Sequence, residues 1–213
     1  DLSTKETDKT ACEALAKKAK IIYEQYPESE DIALRYAAIL VNLSVEQVNV
    51  EELDKTMNSV KQIFEQFQQS EEIALRYAMV LVNLSVEQVN VEERKNTANL
   101  VKQIFEQFQQ SEDIALRYAM ALVNLSAEQV NVEEIGDTVN SVKQIFEQFQ
   151  QSEDFALQYA MVLYNLSNGQ NDIKERKKTI SELEAFTLKF RHSECVALQY
   201  ASRFTKWRVQ ERN

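Results

Sequence analysis

Apolar residues recur along this chain at helical spacing, and the recurrence itself repeats. Leu53, Met57, Val60, Phe64 and Phe67 follow one another at steps of four, three, four and three residues, with Ile63 widening the stripe. Such a stripe marks an amphipathic helix with one buried face. A second run, Ile73, Ala74, Leu75, Tyr77, Ala78, Leu81, Val82 and Leu84, is apolar on nearly every side. A helix of that kind is buried on most of its surface. Versions of the run begin at Ile32, Ile73, Ile114, Phe155 and Val196, each 41 residues after the one before. A fixed period in this range is the mark of a repeat architecture, because one helical pair cannot bury its own faces and a stack can.

The expected fold is all-α: a right-handed α-solenoid of five 41-residue helical hairpins, with about ten antiparallel helices in one domain over residues 1–213. The units fall at about 8–48, 49–89, 90–130, 131–171 and 172–213. Helix starts are legible too. Asn49, Asn90, Asn131 and Asp172 share one phase and are each followed three residues on by Glu52, Glu93, Glu134 or Glu175. An Asx cap followed by Glu satisfies free N–H groups at a helix start. Asp8 holds this phase in the first unit, with Ala11 in place of the Glu. Ser29, Ser70, Ser111, Ser152 and Ser193 are placed to cap the second helix of each unit, and Tyr26-Pro27 ends the first helix of the chain. End units of a solenoid need polar outer faces. Lys17, Lys18 and Lys20 in the first unit and Arg203, Lys206 and Trp207 in the last fit that expectation.

The pattern A-L-x-Y-A-x-x-L-x-N-L-S, carried by Ala74, Tyr77, Ala78, Leu81 and Leu84, resembles tetratricopeptide-repeat (TPR-like) solenoids over nearly the whole chain. The period differs from the 34 residues of that family and falls in the HEAT and armadillo range. The resemblance therefore extends to HEAT-like proteins. It implies a protein-binding scaffold whose second helices line a concave face.

Few positions on those second helices remain for solvent, and they repeat. Arg76, Met79 and Asn83 form one stripe. Its counterparts are Arg35, Ala38 and Asn42, then Arg117, Met120 and Asn124, then Gln158, Met161 and Asn165. Arg can grip carboxylates through a planar fork, Asn can donate to and accept from a peptide backbone, and Met adapts to varied apolar groups. These residues are the expected contacts for a protein or peptide segment. The plainer alternative is that each Arg pairs with the acid four residues earlier, as Glu72 can with Arg76. Duplication also copies neutral residues: VKQIFEQFQQSE is identical at residues 60–71, 101–112 and 142–153.

Charge narrows the field. With 24 basic and 34 acidic side chains the chain carries −10, which argues against general nucleic-acid binding through clustered Lys and Arg. Single-stranded RNA reading by repeats ranks a distant third among functions. From Lys189 onward six basic residues stand against Glu194 and Glu211, a local +4 that leaves −14 for everything before it. Arg203, Lys206, Trp207 and Arg208 form this basic end. It suggests the second functional reading, a spacer or rod self-associating weakly through its end repeats. The Asn-Leu-Ser sequons at Asn42, Asn83, Asn124 and Asn165 sit on a packed helix and suit glycosylation poorly. His192, three residues before Cys195, lacks further ligands for a metal site and a third group for nucleophilic catalysis. No cofactor, metal or enzymatic activity is expected. Cys12 and Cys195 lie in the first and last units, too far apart in a stack to pair, so a reduced, cytoplasmic setting fits. No run of about 18 apolar residues is present to span a membrane.

Overall fold

The structure, a computed structural model, describes residues 2–149 and 152–190. Among these residues every regular element is α-helical: α1 (Leu2–Gln25), α2 (Glu30–Glu46), α3 (Val50–Gln66), α4 (Glu71–Glu87), α5 (Val91–Gln107), α6 (Glu112–Glu128), α7 (Val132–Gln148), α8 (Glu153–Gly169) and α9 (Ile173–Lys189). From α2 onward each helix has 17 residues, and the 41-residue period is reproduced by alternating helices. Consecutive helices pack in the solenoid-like order that the repeat predicts. The basic end at Arg203, Lys206, Trp207 and Arg208 lies outside the described residues, as do His192, Ser193, Cys195 and the expected tenth helix.

The Asx caps form at all four expected sites. Asn49 Oδ1 accepts from the N–H groups of Glu51 and Glu52, Asn90 from Glu92, Asn131 from Glu133, and Asp172 from Lys174 and Glu175. Among the described residues no Glu side chain closes the box in return. The Glu52 carboxylate instead takes the Lys9 ammonium at 2.6 Å. Asp8 does not start a helix, because α1 begins at Leu2 and runs through it. Residues 2–10 contain neither Gly nor Pro, and Lys5, Glu6 and Lys9 favour helix, so nothing there stops the turn. The serines divide as well. Ser29 and Ser111 accept from the third residue beyond them, whereas Ser70 and Ser152 make no side-chain cap bond.

The chain forms two compact units, Asp1–Ala121 and Leu122–Asn213. In the first unit α1 packs on α2 and α3 on α4, and α2 also packs directly on α4. The odd helices reach one another through side chains: Lys9 of α1 bonds Glu52 of α3, and Tyr23 Oη donates to Gln66 Oε1 at 2.8 Å. In the second unit α7 packs on α8 and α8 on α9. Within each hairpin an aromatic pair joins the two helices. Tyr23 meets Tyr36, Phe64 meets Tyr77, Phe105 meets Tyr118 and Phe146 meets Tyr159, with ring centroids 5.5, 5.6, 5.7 and 5.8 Å apart. Such pairs add about 0.5–1.5 kcal/mol beyond area burial.

Polar clasps lock neighbouring repeats. Thr56 Oγ1 donates to Gln47 Oε1, Thr97 to Gln88 and Thr138 to Gln129, at 2.9, 3.0 and 3.0 Å. Gln66 Nε2 donates to the Pro27 carbonyl and Gln107 Nε2 to that of Gln68, at 2.8 and 2.6 Å. The first hairpin departs from the polar end face expected of a terminal unit. Ile22 is 49% exposed and Leu15 52%, and Ile21 and Tyr26 are exposed beside them. The lysines of α1 lie among these apolar side chains without covering them, since Lys17 and Lys18 are themselves exposed.

Candidate functional site

The open stripe of α4 runs through Glu72, Arg76, Met79, Asn83 and Val86, at steps of four, three, four and three residues. It is the strip of α4 that the packing of α2, α3 and α5 leaves uncovered. The positions between are sealed: Ile73, Ala74, Ala78, Val80 and Leu81 are fully buried. Arg76, Met79 and Asn83 are half-buried, and Val86 is exposed. On α2 the same phases hold Arg35 and Asn42, both exposed, with Ala38 between them. On α6, within the first unit, they hold Arg117 and Met120, both half-buried.

The arginines make no ion pair with the acids four residues before them. Arg76 Nη1 instead reaches Met79 Sδ at 3.5 Å, and Arg117 Nη1 reaches Met120 Sδ at 3.4 Å. Thioether sulfur is a weak acceptor. The Nε atoms of Arg76 and Arg117 are screened from solvent and have no hydrogen-bond partner. Glu72 and Asp113 sit in the first turns of α4 and α6, where the positive helix end holds negative charge. Each guanidinium is therefore a partly desolvated cation with most of its donors unspent.

Arg94 shows what a structural arginine looks like in this fold. It is 8% exposed, and its Nε donates to the Gln88 carbonyl at 2.5 Å and its Nη2 to the Val86 carbonyl at 3.3 Å. It closes the C-terminal end of α4, where free carbonyls need donors. Sequence reading passed over this residue. Cys12, Leu53 and Ile135 hold its phase in three other repeats, and Arg176, whose Nε is buried without a partner, holds it in the fifth.

The Asn column has a different geometry. Asn83 Nδ2 donates to Ser44 Oγ of the preceding repeat at 2.7 Å, and Ser44 Oγ in turn donates to the Val41 carbonyl. In the second unit Asn165 Nδ2 donates to Ser126 Oγ at 2.8 Å and to the Val123 carbonyl at 3.4 Å. Asn124 is half-buried and also engaged. These amides staple repeat to repeat, which also occupies the sequon nitrogen of Asn83 and Asn165. Met161 is half-buried on α8, where a buried Gln158 stands at the Arg phase. The structure places Arg76 beside Met79 and Arg117 beside Met120, each pair on its own helix, and turns Asn83 and Asn165 toward their neighbours.

Burial of the Tyr column has an electrostatic sign. Burial, then Glu65, pushes the Tyr77 hydroxyl up to about 12, and burial with Glu106 raises Tyr118. Burial, then a bond to Glu182, raises Tyr159 further. These phenols stay neutral and belong to the packing. Among the described residues no group of three or more His, Cys, Asp or Glu side chains is arranged to hold a metal ion, and no helix is long and apolar enough to cross a membrane. Comparison of the chain with models of known protein families, with curated proteins and with solved structures finds no match in any of the three.

Proposed function

We propose that the chain is a non-enzymatic interaction scaffold of the TPR-like or HEAT-like kind, binding a protein or peptide segment along the open face of α2, α4 and α6. One observation carries the reading: Arg76 and Arg117 hold guanidinium groups on that face with no anionic partner and an unsatisfied Nε. Buried polar groups are nearly always bonded, so an orphaned donor calls for an explanation, and a ligand is one. Met79 and Met120 beside them offer adaptable apolar contact.

Capture from a lysate compares the wild type with Arg35→Glu, Arg76→Glu, Arg117→Glu, with circular dichroism establishing that both are helical. A partner lost by the variant alone supports the reading. An identical set of captured proteins from both sinks it. The alternative, a self-associating rod, is favoured by a different observation, the exposed Leu15, Ile21 and Ile22 of the first hairpin. Sedimentation showing mass that rises with concentration, and that is abolished by Ile22→Glu, would favour the rod over the groove.

A further inference from the structure

Resting on the groove reading, we infer that the ligand is an extended segment in polyproline II conformation that carries a carboxylate at every third residue. The chemistry of the site sets the group, and the spacing of the helices sets the interval. A guanidinium presents five N–H donors in a fixed plane and no acceptor, so its partner must be an oxyanion, and carboxylate matches the fork through two parallel bonds. In Arg76 and Arg117 these donors meet a sulfur atom at 3.5 and 3.4 Å, and each Nε meets nothing. Arg94, by contrast, spends donors on two carbonyls, although Arg176 at the same phase leaves its Nε without a partner. Met79 and Met120, half-buried next to the arginines, suit the apolar residues between the acids of a peptide.

The interval follows from α2 and α4, which pack directly on one another. Packed helices lie about 8–10 Å apart, so equivalent residues Arg35 and Arg76 repeat on that scale. A polyproline II chain rises about 3.1 Å per residue with three residues per turn, returning the same face every ~9 Å. A β-strand returns its face every second residue, about 6.6 Å, or every fourth, about 13 Å, and misses the interval. The Asn column does not compete for the ligand at Asn83, whose amide is committed to Ser44.

The test measures fluorescence anisotropy of three labelled nonapeptides against the whole chain at low salt: (Glu-Pro-Pro)3, an isomer with its three Glu contiguous, and (Gln-Pro-Pro)3. The spaced peptide should bind at least about tenfold tighter than its isomer. It should lose that advantage with Arg35→Gln, Arg76→Gln, Arg117→Gln, and the Gln peptide should not bind. Equal binding of the two Glu isomers overturns the interval, and tighter binding of the same peptide with phosphoserine for Glu overturns the carboxylate. No binding of either Glu peptide overturns the ligand class. If lysate partners are still lost in the Glu variant, the groove reading survives that result, and if they are kept it fails as well.

Discussion

Ile22 and Ile63 hold the same phase in the first and second hairpins. Ile63 is 1% exposed and Ile22 is 49% exposed. Asn42 and Asn83 differ in the same way, since Asn83 is half-buried against Ser44 and Asn42 faces solvent. Leu15 is exposed where Thr56 is buried and clasped to Gln47. The hairpins themselves are alike, down to the aromatic pair that joins each one. Among the described residues a repeat packs in front of the second hairpin and none packs in front of the first. Burial of a phase thus belongs to the contact between repeats, the nearest-neighbour term that dominates stacked architectures.

The sharpest way to break that comparison is to truncate the paired isoleucines. Ile63→Ala should cost about 2–5 kcal/mol, as sealed core positions do. Ile22→Ala should cost less than about 1 kcal/mol, because little transfer from water is lost at a half-exposed site. Urea denaturation of both variants decides it, and equal losses would show that a hairpin seals its own face. The arginines come next. Removing Arg94 strands the Gln88 and Val86 carbonyls, so Arg94→Ala should cost about 1–3 kcal/mol, and Arg76→Ala close to nothing. A large loss for Arg76→Ala would mean that its guanidinium is part of the packing, which would remove it from the groove.

Smaller again is the Asn staple. Asn83→Ala should cost about 1 kcal/mol and Asn42→Ala nearly none, measured the same way. The last effect is confined to alkali. Tyr77 ionises at about 12 in the folded chain and near 10 unfolded, raised by burial first and Glu65 second. A raised folded value means that the stabilisation is fully present below pH 10 and is lost as pH rises from 10 toward 12. Tyr77→Phe should therefore flatten the decline of the urea midpoint across that window and leave its value at pH 7 almost unchanged. Tyr36, at the same phase in the first hairpin, is raised by burial, then by Glu24 and Tyr23. A steeper alkaline change for Tyr36→Phe than for Tyr77→Phe would reverse the comparison.

The helices, their Asx caps and their buried faces were legible because each depends on residues within one turn or one face. Leu53, Val60 and Ile63 are buried as their spacing predicts. The open stripe through Arg76, Met79 and Asn83 was legible for the same reason, being the remainder of an otherwise apolar helix. What those side chains do was not. Whether Asn83 faces a ligand or Ser44 depends on the sideways distance to the previous repeat, which helical phase does not contain. The choice of Arg76 between Glu72 and Met79 turns on a competition at the helix start. The clasps from Thr56 to Gln47 and Thr97 to Gln88 left a visible trace, two polar residues nine positions apart in successive repeats. Nothing local marks them as partners, because the chain turns from one helix into the next between them.

The side-chain bonds from Lys9 to Glu52 and from Tyr23 to Gln66 each span 43 positions. Each of the two is reached by closing a loop of about one repeat. Bonds of this kind, like those from Asn83 to Ser44 and Asn165 to Ser126, fasten one repeat to the repeat next to it. Each released repeat of 41 residues would pay out about 140 Å of contour length. Under load, fastenings between adjacent repeats of this kind are expected to release in similar short steps, one hairpin at a time.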